Sequence, residues 1–240
     1  MTLRAGPSYP SGMQRRGLYA ILFDLDGTLV QSEDLYRRAT QEILDGVGRS
    51  LDELSCQEKS MIPGRSAIQN MLFYCERFGL TQPAQELVDL RMNQVCRLLD
   101  DEGVMLVPGA REILESLRLA DMPVALASSS PWRYVSRVLE VTALGEFFDV
   151  VKTGDDVTRF KPDPQIFLLA AGDLGIPPPR CLVVEDAHSG ILAARAAGMK
   201  VMAVESEVTL PEQAAAADRQ VRDFCGMVAR DLVSIITAAP

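Results

Sequence analysis

Histidine is almost missing from this 240-residue chain: His188 is the only one. It cannot complete a Cys/His zinc set, because the five cysteines (Cys56, Cys75, Cys96, Cys181, Cys225) are scattered and contain no CxxC. Odd in number and without a framework spacing, they read as reduced, mostly core thiols of a cytoplasmic protein. No apolar run approaches the length of a membrane span, and residues 1–16 lack the apolar core of a signal peptide. Positive charge is also short. The net charge of −9 argues against a nucleic-acid partner, since a phosphate-tracking surface needs clustered Lys and Arg. There is no internal repeat and no low-complexity stretch. What remains is an ordinary globular composition, 48% hydrophobic and 24% charged, long enough for one α/β domain with an insertion.

The chain is organised around residues 18–32. Leu18 to Phe23 is a nearly continuous apolar run, the pattern of a strand buried on both faces of a parallel sheet. It ends in Asp24 and Asp26, followed by Gly27. In an open α/β sheet, ligands bind at the carboxyl ends of the strands. Two acids there repel each other unless a cation sits between them, which points to a divalent-metal site in which one Asp also does chemistry. Asp-Gly alone equally allows two exposed acids at a turn. The choice between the two depends on what lies downstream.

Ser32 stands where it can cap a helix beginning at Glu33, with Leu35, Ala39, Ile43 and Val47 on one face. From there to residue 101 every segment reads helical. Leu51, Leu54 and Met61 mark a short helix, and Ile68, Met71, Leu72, Cys75 and Phe78 an amphipathic one. Another opens at Thr81 and Pro83 and carries Leu87, Leu90, Gln94 and Leu98. Residues 33–101 are therefore expected to form a helical subdomain sitting over the end of the first strand. After Val107-Pro108-Gly109 the pattern alternates. Helices over 110–119, 132–140, 166–174 and 190–197 interleave with strands over 124–127, 149–151, 181–184 and 200–204. A weak strand near Val221 and a helix over 227–236 close the chain. The fold class expected is α/β, a doubly wound Rossmann-like parallel sheet, with residues 17–32 and 102–240 as core and 1–16 as a loose tail.

Polar residues recur at the strand ends, and this favours the metal site over the plain turn. Ser128 follows 124–127 directly, where its hydroxyl and the next backbone N–H groups suit a phosphate oxygen. Lys161 stands in Arg-Phe-Lys-Pro-Asp-Pro, stiffened by Pro162 and Pro164, where an ammonium can neutralise a carboxylate and an incoming phosphoryl group together. Glu185 and Asp186 end the strand 181–184. Magnesium takes oxygen ligands and usually needs one or two carboxylates, a role that Asp24 and Asp186 fit.

Asp24-Leu25-Asp26-Gly27-Thr28, Ser128, Lys161-Pro162-Asp163-Pro164 and Glu185-Asp186-Ala187-His188-Ser189-Gly190, in that order, resemble the motifs of the haloacid dehalogenase superfamily. The resemblance covers roughly residues 18–236, and the insertion looks like the small helical cap of the β-phosphoglucomutase and sugar-phosphatase branch. It implies a Mg²⁺-dependent phosphatase of a small phosphorylated metabolite. In that scheme Asp24 attacks phosphorus, and Asp26 protonates the leaving alcohol, then activates water. Ser128 and Lys161 hold phosphoryl oxygens, and Ser129 is a further substrate-binding candidate. Asp24, the Asp26 carbonyl, Asp186 and Glu185 surround the metal, Glu185 directly or through water. Gly64-Arg65-Ser66 resembles a cap position from which Arg65 reaches toward substrate phosphate or sugar.

An Asp at position 26 suits an ester whose alkoxide leaving group needs a proton; within the superfamily that the chain resembles, it argues against a dehalogenase or phosphonatase, which lack an Asp there. Two departures bear on the alternative, a phosphosugar mutase. Gln31 replaces an Asp, and Tyr36 replaces the His that orients the acid/base Asp in β-phosphoglucomutase-like enzymes. Their effect is to weaken the mutase reading, as hydrolysis needs no second positioned hydroxyl. A binding protein that keeps the fold without turnover is the remaining alternative, disfavoured by the intact set of crowded acids. His188 reads as a surface residue or one supporting the metal site. Ser130 reads as a loop or N-cap residue, Trp132 and Tyr134 as packing residues, and Arg91, Asn93 and Arg97 as a solvated helix face.

Overall fold

The computed structural model describes residues 19–60, 62, 67–206 and 214–238. Arg65, Met61 and the tail 1–16 lie outside them. By contact, the chain divides into two units, Ser32–Val104 and the remainder.

The larger unit is a six-stranded parallel sheet in the order β3-β2-β1-β4-β5-β6. Its strands are β1 (Ala20–Phe23), β2 (Val124–Ala127), β3 (Val150–Lys152), β4 (Cys181–Glu185), β5 (Lys200–Val204) and β6 (Arg219–Val221). The chain order reverses direction between β1 and its neighbours β2 and β4, the place where such sheets bind ligands. All four residues of β1 are buried, as the unbroken apolar run requires. Ala20 and Leu22 pack with Phe167, Val183 and Ile191. From the same strand, Phe23 meets the edge of Phe224 at 6.1 Å between centroids. Burying a side chain such as Phe23 contributes about 1.5–3 kcal/mol.

Helices α5 (Ala110–Leu119), α6 (Trp132–Thr142), α7 (Gln165–Leu174), α8 (His188–Ala196) and α9 (Ala229–Thr237) complete this unit. Packing of α7 against β1, β2 and β3, and of α8 against β4 and β5, covers one side; α9 meets β4, β5 and α5. The doubly wound parallel sheet expected from the sequence is present, with strand ends shifted by a residue or so.

The smaller unit holds α1 (Glu33–Asp45), a 3₁₀ turn at Leu51–Glu53, α2 (Cys56–Ser60), α3 (Ala67–Phe78) and α4 (Ala84–Glu102). Its core is built from Ile43, Leu44, Leu54, Met71, Tyr74, Phe78 and Leu87. Several side chains assigned to the apolar faces are in fact exposed: Val47, Leu72 and Leu90. On α3 the buried stripe runs through Met71, Tyr74 and Phe78, one position away from Leu72. Ser32 occupies the N-cap position of α1 in helical backbone and its side chain makes no capping bond. Arg91 corrects the solvated-face reading of α4: it is buried, with its guanidinium 5.7 Å from the Tyr36 ring centre. The expectation of core thiols also fails in part, since Cys56 and Cys225 are exposed and Cys181 is buried.

Among the described residues, no helix is long and apolar enough to cross a membrane.

Candidate active site

Asp24 continues the β1 ladder by one bond, its N–H donating to the Val184 carbonyl at 2.9 Å. The chain then turns sharply. Gly27 adopts φ 79°, a conformation that a side chain resists, and its N–H bonds to the Val30 carbonyl. This turn places Asp24 and Asp26 at the carboxyl end of the central strand.

Asp24, Glu185 and Asp186 are all buried, and each offers a carboxylate oxygen within 4.8 Å of the others. Lys161 completes the group. Its ammonium donates to Asp24 Oδ1 at 2.5 Å, Glu185 Oε1 at 2.8 Å and the Ala127 carbonyl at 3.0 Å. Residues 137 positions apart in sequence thus meet because each follows an apolar strand or a stiff loop.

Burial pushes the Asp24 carboxyl up to about 7, against the pull of Lys161 and with the help of Glu185. Against burial, which lowers it, Asp24 and Glu185 hold the Lys161 ammonium above its ordinary range. Three buried carboxylates crowd around one ammonium. The all-oxygen donor set and the closeness of like charges fit a hard divalent cation.

Glu185 is fastened from two sides: its Oε2 accepts the N–H groups of Asp186 and Ala187. Its room comes from Gly190 on α8, where an added Cβ would lie 1.6 Å from Glu185 Oε1. Gly190→Ala is therefore expected to expel Glu185 and loosen Lys161. Metal affinity or turnover should fall about 10–100-fold, read by Mg²⁺ titration of activity. Unchanged affinity and turnover would remove Glu185 from the site.

Ser128 is buried at the end of β2, and its Oγ accepts the Ser130 N–H at 3.1 Å. Ser129 next to it is exposed. His188 is half-buried as the first residue of α8.

Three side chains do more than the sequence suggested. Thr28, fully buried, donates from Oγ1 to Asp186 Oδ1 at 3.1 Å. Tyr134, read as packing, is indeed buried, but its hydroxyl donates to Asp26 Oδ1 at 2.7 Å. Ser130, read as a loop residue, donates to Asp26 Oδ2 at 2.8 Å. Trp132 is 40% exposed rather than packed. The DGT motif itself could have flagged Thr28; nothing in the local pattern distinguishes Tyr134 from a core aromatic.

A parallel α/β sheet whose central strand ends bring together a buried lysine and three buried carboxylates defines an enzyme of the hydrolytic, group-transfer kind. Residues 19–198 match the family model of the haloacid dehalogenase-like hydrolases. The chain belongs to that family. It is 30% identical over 215 residues to Protein CbbY of Rhodobacter capsulatus, covering 86% of this chain and 94% of that protein. Over 181 residues it is 31% identical to the phosphorylated carbohydrates phosphatase of Thermotoga maritima, covering 75% and 82%. Among solved structures, a mutant of CbbY from Rhodobacter sphaeroides in complex with xylulose-(1,5)bisphosphate superposes with a TM-score of 0.78 at 26% identity, covering 90% of this chain and 99% of that one.

Proposed function

We propose that the chain is a Mg²⁺-dependent phosphatase of a small phosphorylated sugar and works through a phosphoryl group carried on Asp24. The observation that carries this is the meeting of Asp24, Glu185, Asp186 and Lys161 at one sheet edge, with a second carboxyl, Asp26, two residues from the first. The relative named for phosphorylated carbohydrates and the neighbour solved with a sugar bisphosphate support a sugar as the leaving group.

In this reading a carboxylate oxygen of Asp24 attacks phosphorus while the bond from phosphorus to the sugar oxygen breaks. Asp26 gives its proton to that oxygen. Water then attacks the same phosphorus, Asp26 takes the proton, and the bond to Asp24 breaks to release inorganic phosphate. Lys161 keeps Asp24 placed and offsets the charge of the arriving phosphoryl group, and Ser128 receives one of its oxygens. The carboxylates of Asp24, Asp186 and Glu185 and the Asp26 carbonyl would hold Mg²⁺, whose charge would stabilise the phosphoryl oxygens. The helical unit serves as the cap that selects the sugar, with Arg65 as a substrate contact.

The test of the acid role is Asp26→Asn. Loss of a general acid costs about 10²–10⁴-fold, and it should fall on kcat/KM for an alkyl ester such as glucose 6-phosphate far more than on kcat/KM for 4-nitrophenyl phosphate. Equal loss on both counts against the acid role.

Metal binding also has a pH signature. The Asp24 carboxyl titrates near 7 in the metal-free fold and near 3.8 in the unfolded chain. The folded form thus holds its proton longer, and the stability that this contributes is lost as pH rises from about 4 to about 7. A cation takes the proton's place. Mg²⁺ is expected to raise the melting temperature more at about pH 8 than at about pH 5.5, as followed by differential scanning fluorimetry. An equal shift at both would contradict Asp24 as a ligand.

A further inference from the structure

Asp26 is held by two hydroxyls that both come from the segment after β2. Tyr134 reaches Oδ1 and Ser130 reaches Oδ2, so both carboxyl oxygens are engaged. Neither donor is loosely placed. Tyr134 is fully buried on the first turn of α6. Ser130 is pinned by its own backbone: its N–H donates to Ser128 Oγ, and its carbonyl accepts from the Gly154 N–H at 2.9 Å. One residue thereby ties the Ser128 hydroxyl and the Asp26 carboxyl into a common frame.

We infer that Tyr134 and Ser130 are positioning residues for proton transfer, fixing the orientation of the Asp26 carboxyl relative to Ser128; the inference rests on the phosphatase reading above. Two observations argue for more than a satisfied core tyrosine. Both carboxyl oxygens are engaged from one short stretch of chain, Ser130 in the loop after β2 and Tyr134 in the first turn of α6, which fixes the torsion of the carboxyl as well as its place. The donors are also hydroxyls, which can donate to a carboxylate and accept from a carboxylic acid. Such partners keep their grip whether or not Asp26 holds the proton that it passes on. A lysine or a backbone N–H can only donate, and cannot accept from the oxygen that carries the proton. Proton transfer is sensitive to such placement, and small errors in position cost up to about 10²-fold in rate.

The experiment compares Tyr134→Phe and Ser130→Ala with Asp26→Asn, with glucose 6-phosphate and 4-nitrophenyl phosphate as probes and melting temperature as a check on folding. Tyr134→Phe is expected to reduce kcat/KM for the alkyl ester about tenfold more than for the aryl ester. In the Asp26→Asn background it should cause no further alkyl-specific loss, because it acts through Asp26. Ser130→Ala should show the same selectivity to a smaller extent. A purely structural role would lower both substrates alike and multiply with Asp26→Asn, and either result overturns the proposal. If Asp26→Asn separates the two esters and Tyr134→Phe does not, the positioning role alone falls. If Asp26→Asn itself fails to separate them, the acid reading falls and takes this inference with it.

Discussion

Asp24→Asn is expected to lower phosphatase turnover by roughly 10⁴-fold or more, while the protein stays folded. Asparagine keeps the shape of the side chain and an oxygen that can accept from Lys161, but it cannot attack phosphorus. The stability consequence runs the other way from most changes at a buried polar site. Asp24 is a buried carboxylate crowded by Glu185 and Asp186 and offset by one ammonium. Removing one of the like charges relieves repulsion, so the metal-free variant should melt no lower than the parent at about pH 8. Steady-state phosphate release and thermal melting read the two effects separately. Retention of more than a few per cent of activity would remove Asp24 as nucleophile.

Lys161→Met has the largest expected effect on stability. The Lys161 ammonium bridges Asp24 and Glu185, and its side chain is 6% exposed. Breaking a buried pair from one side leaves its partners charged in a poorly solvated place, at a cost of about 3–5 kcal/mol. The raised Lys161 titration means that its contribution is fully present below the ordinary lysine range and lost only above it, so neutral pH shows the whole effect. The loss should still depend on pH through the acids. Without Lys161, the attraction that pulls the Asp24 carboxyl down is gone, and the group moves further up. Urea unfolding of the metal-free variant should therefore show a smaller deficit at about pH 5.5, where Asp24 carries a proton, than at about pH 8. A deficit below 1 kcal/mol at the higher pH would mean that the carboxylates are not held by this ammonium.

The residues whose place could be read from sequence share one property: each directly ends an apolar run or stiff loop. Asp24 after β1, Ser128 after β2 and Glu185 and Asp186 at the end of β4 are carried to one edge because parallel strands present their carboxyl ends together. Lys161 could be read because two prolines mark its loop as built rather than merely connecting. Tyr134 is buried and Ser130 lies in a loop, as their pattern suggests, but periodicity says only which face a side chain takes and cannot say what its hydroxyl touches across 104 or 108 residues. Arg91 went wrong for a related reason. A charged residue on a mostly polar helix reads as solvated, but α4 packs against both α1 and α3, and Arg91 is buried there with its guanidinium near the Tyr36 ring. The exposed Leu72 and Leu90 show the limit of helical spacing: a shift of one position on α3 or α4 moves the apolar face by 100°.

The measurement that goes most directly to the central claim is a product analysis of glucose 6-phosphate, β-glucose 1-phosphate and xylulose 1,5-bisphosphate incubated with the protein, Mg²⁺ and, for the second, glucose 1,6-bisphosphate as primer. A phosphatase should release inorganic phosphate from at least one of them, stop on addition of EDTA, and leave β-glucose 1-phosphate without conversion to the 6-phosphate. Conversion of β-glucose 1-phosphate to glucose 6-phosphate with little phosphate released would contradict it and make the chain a mutase.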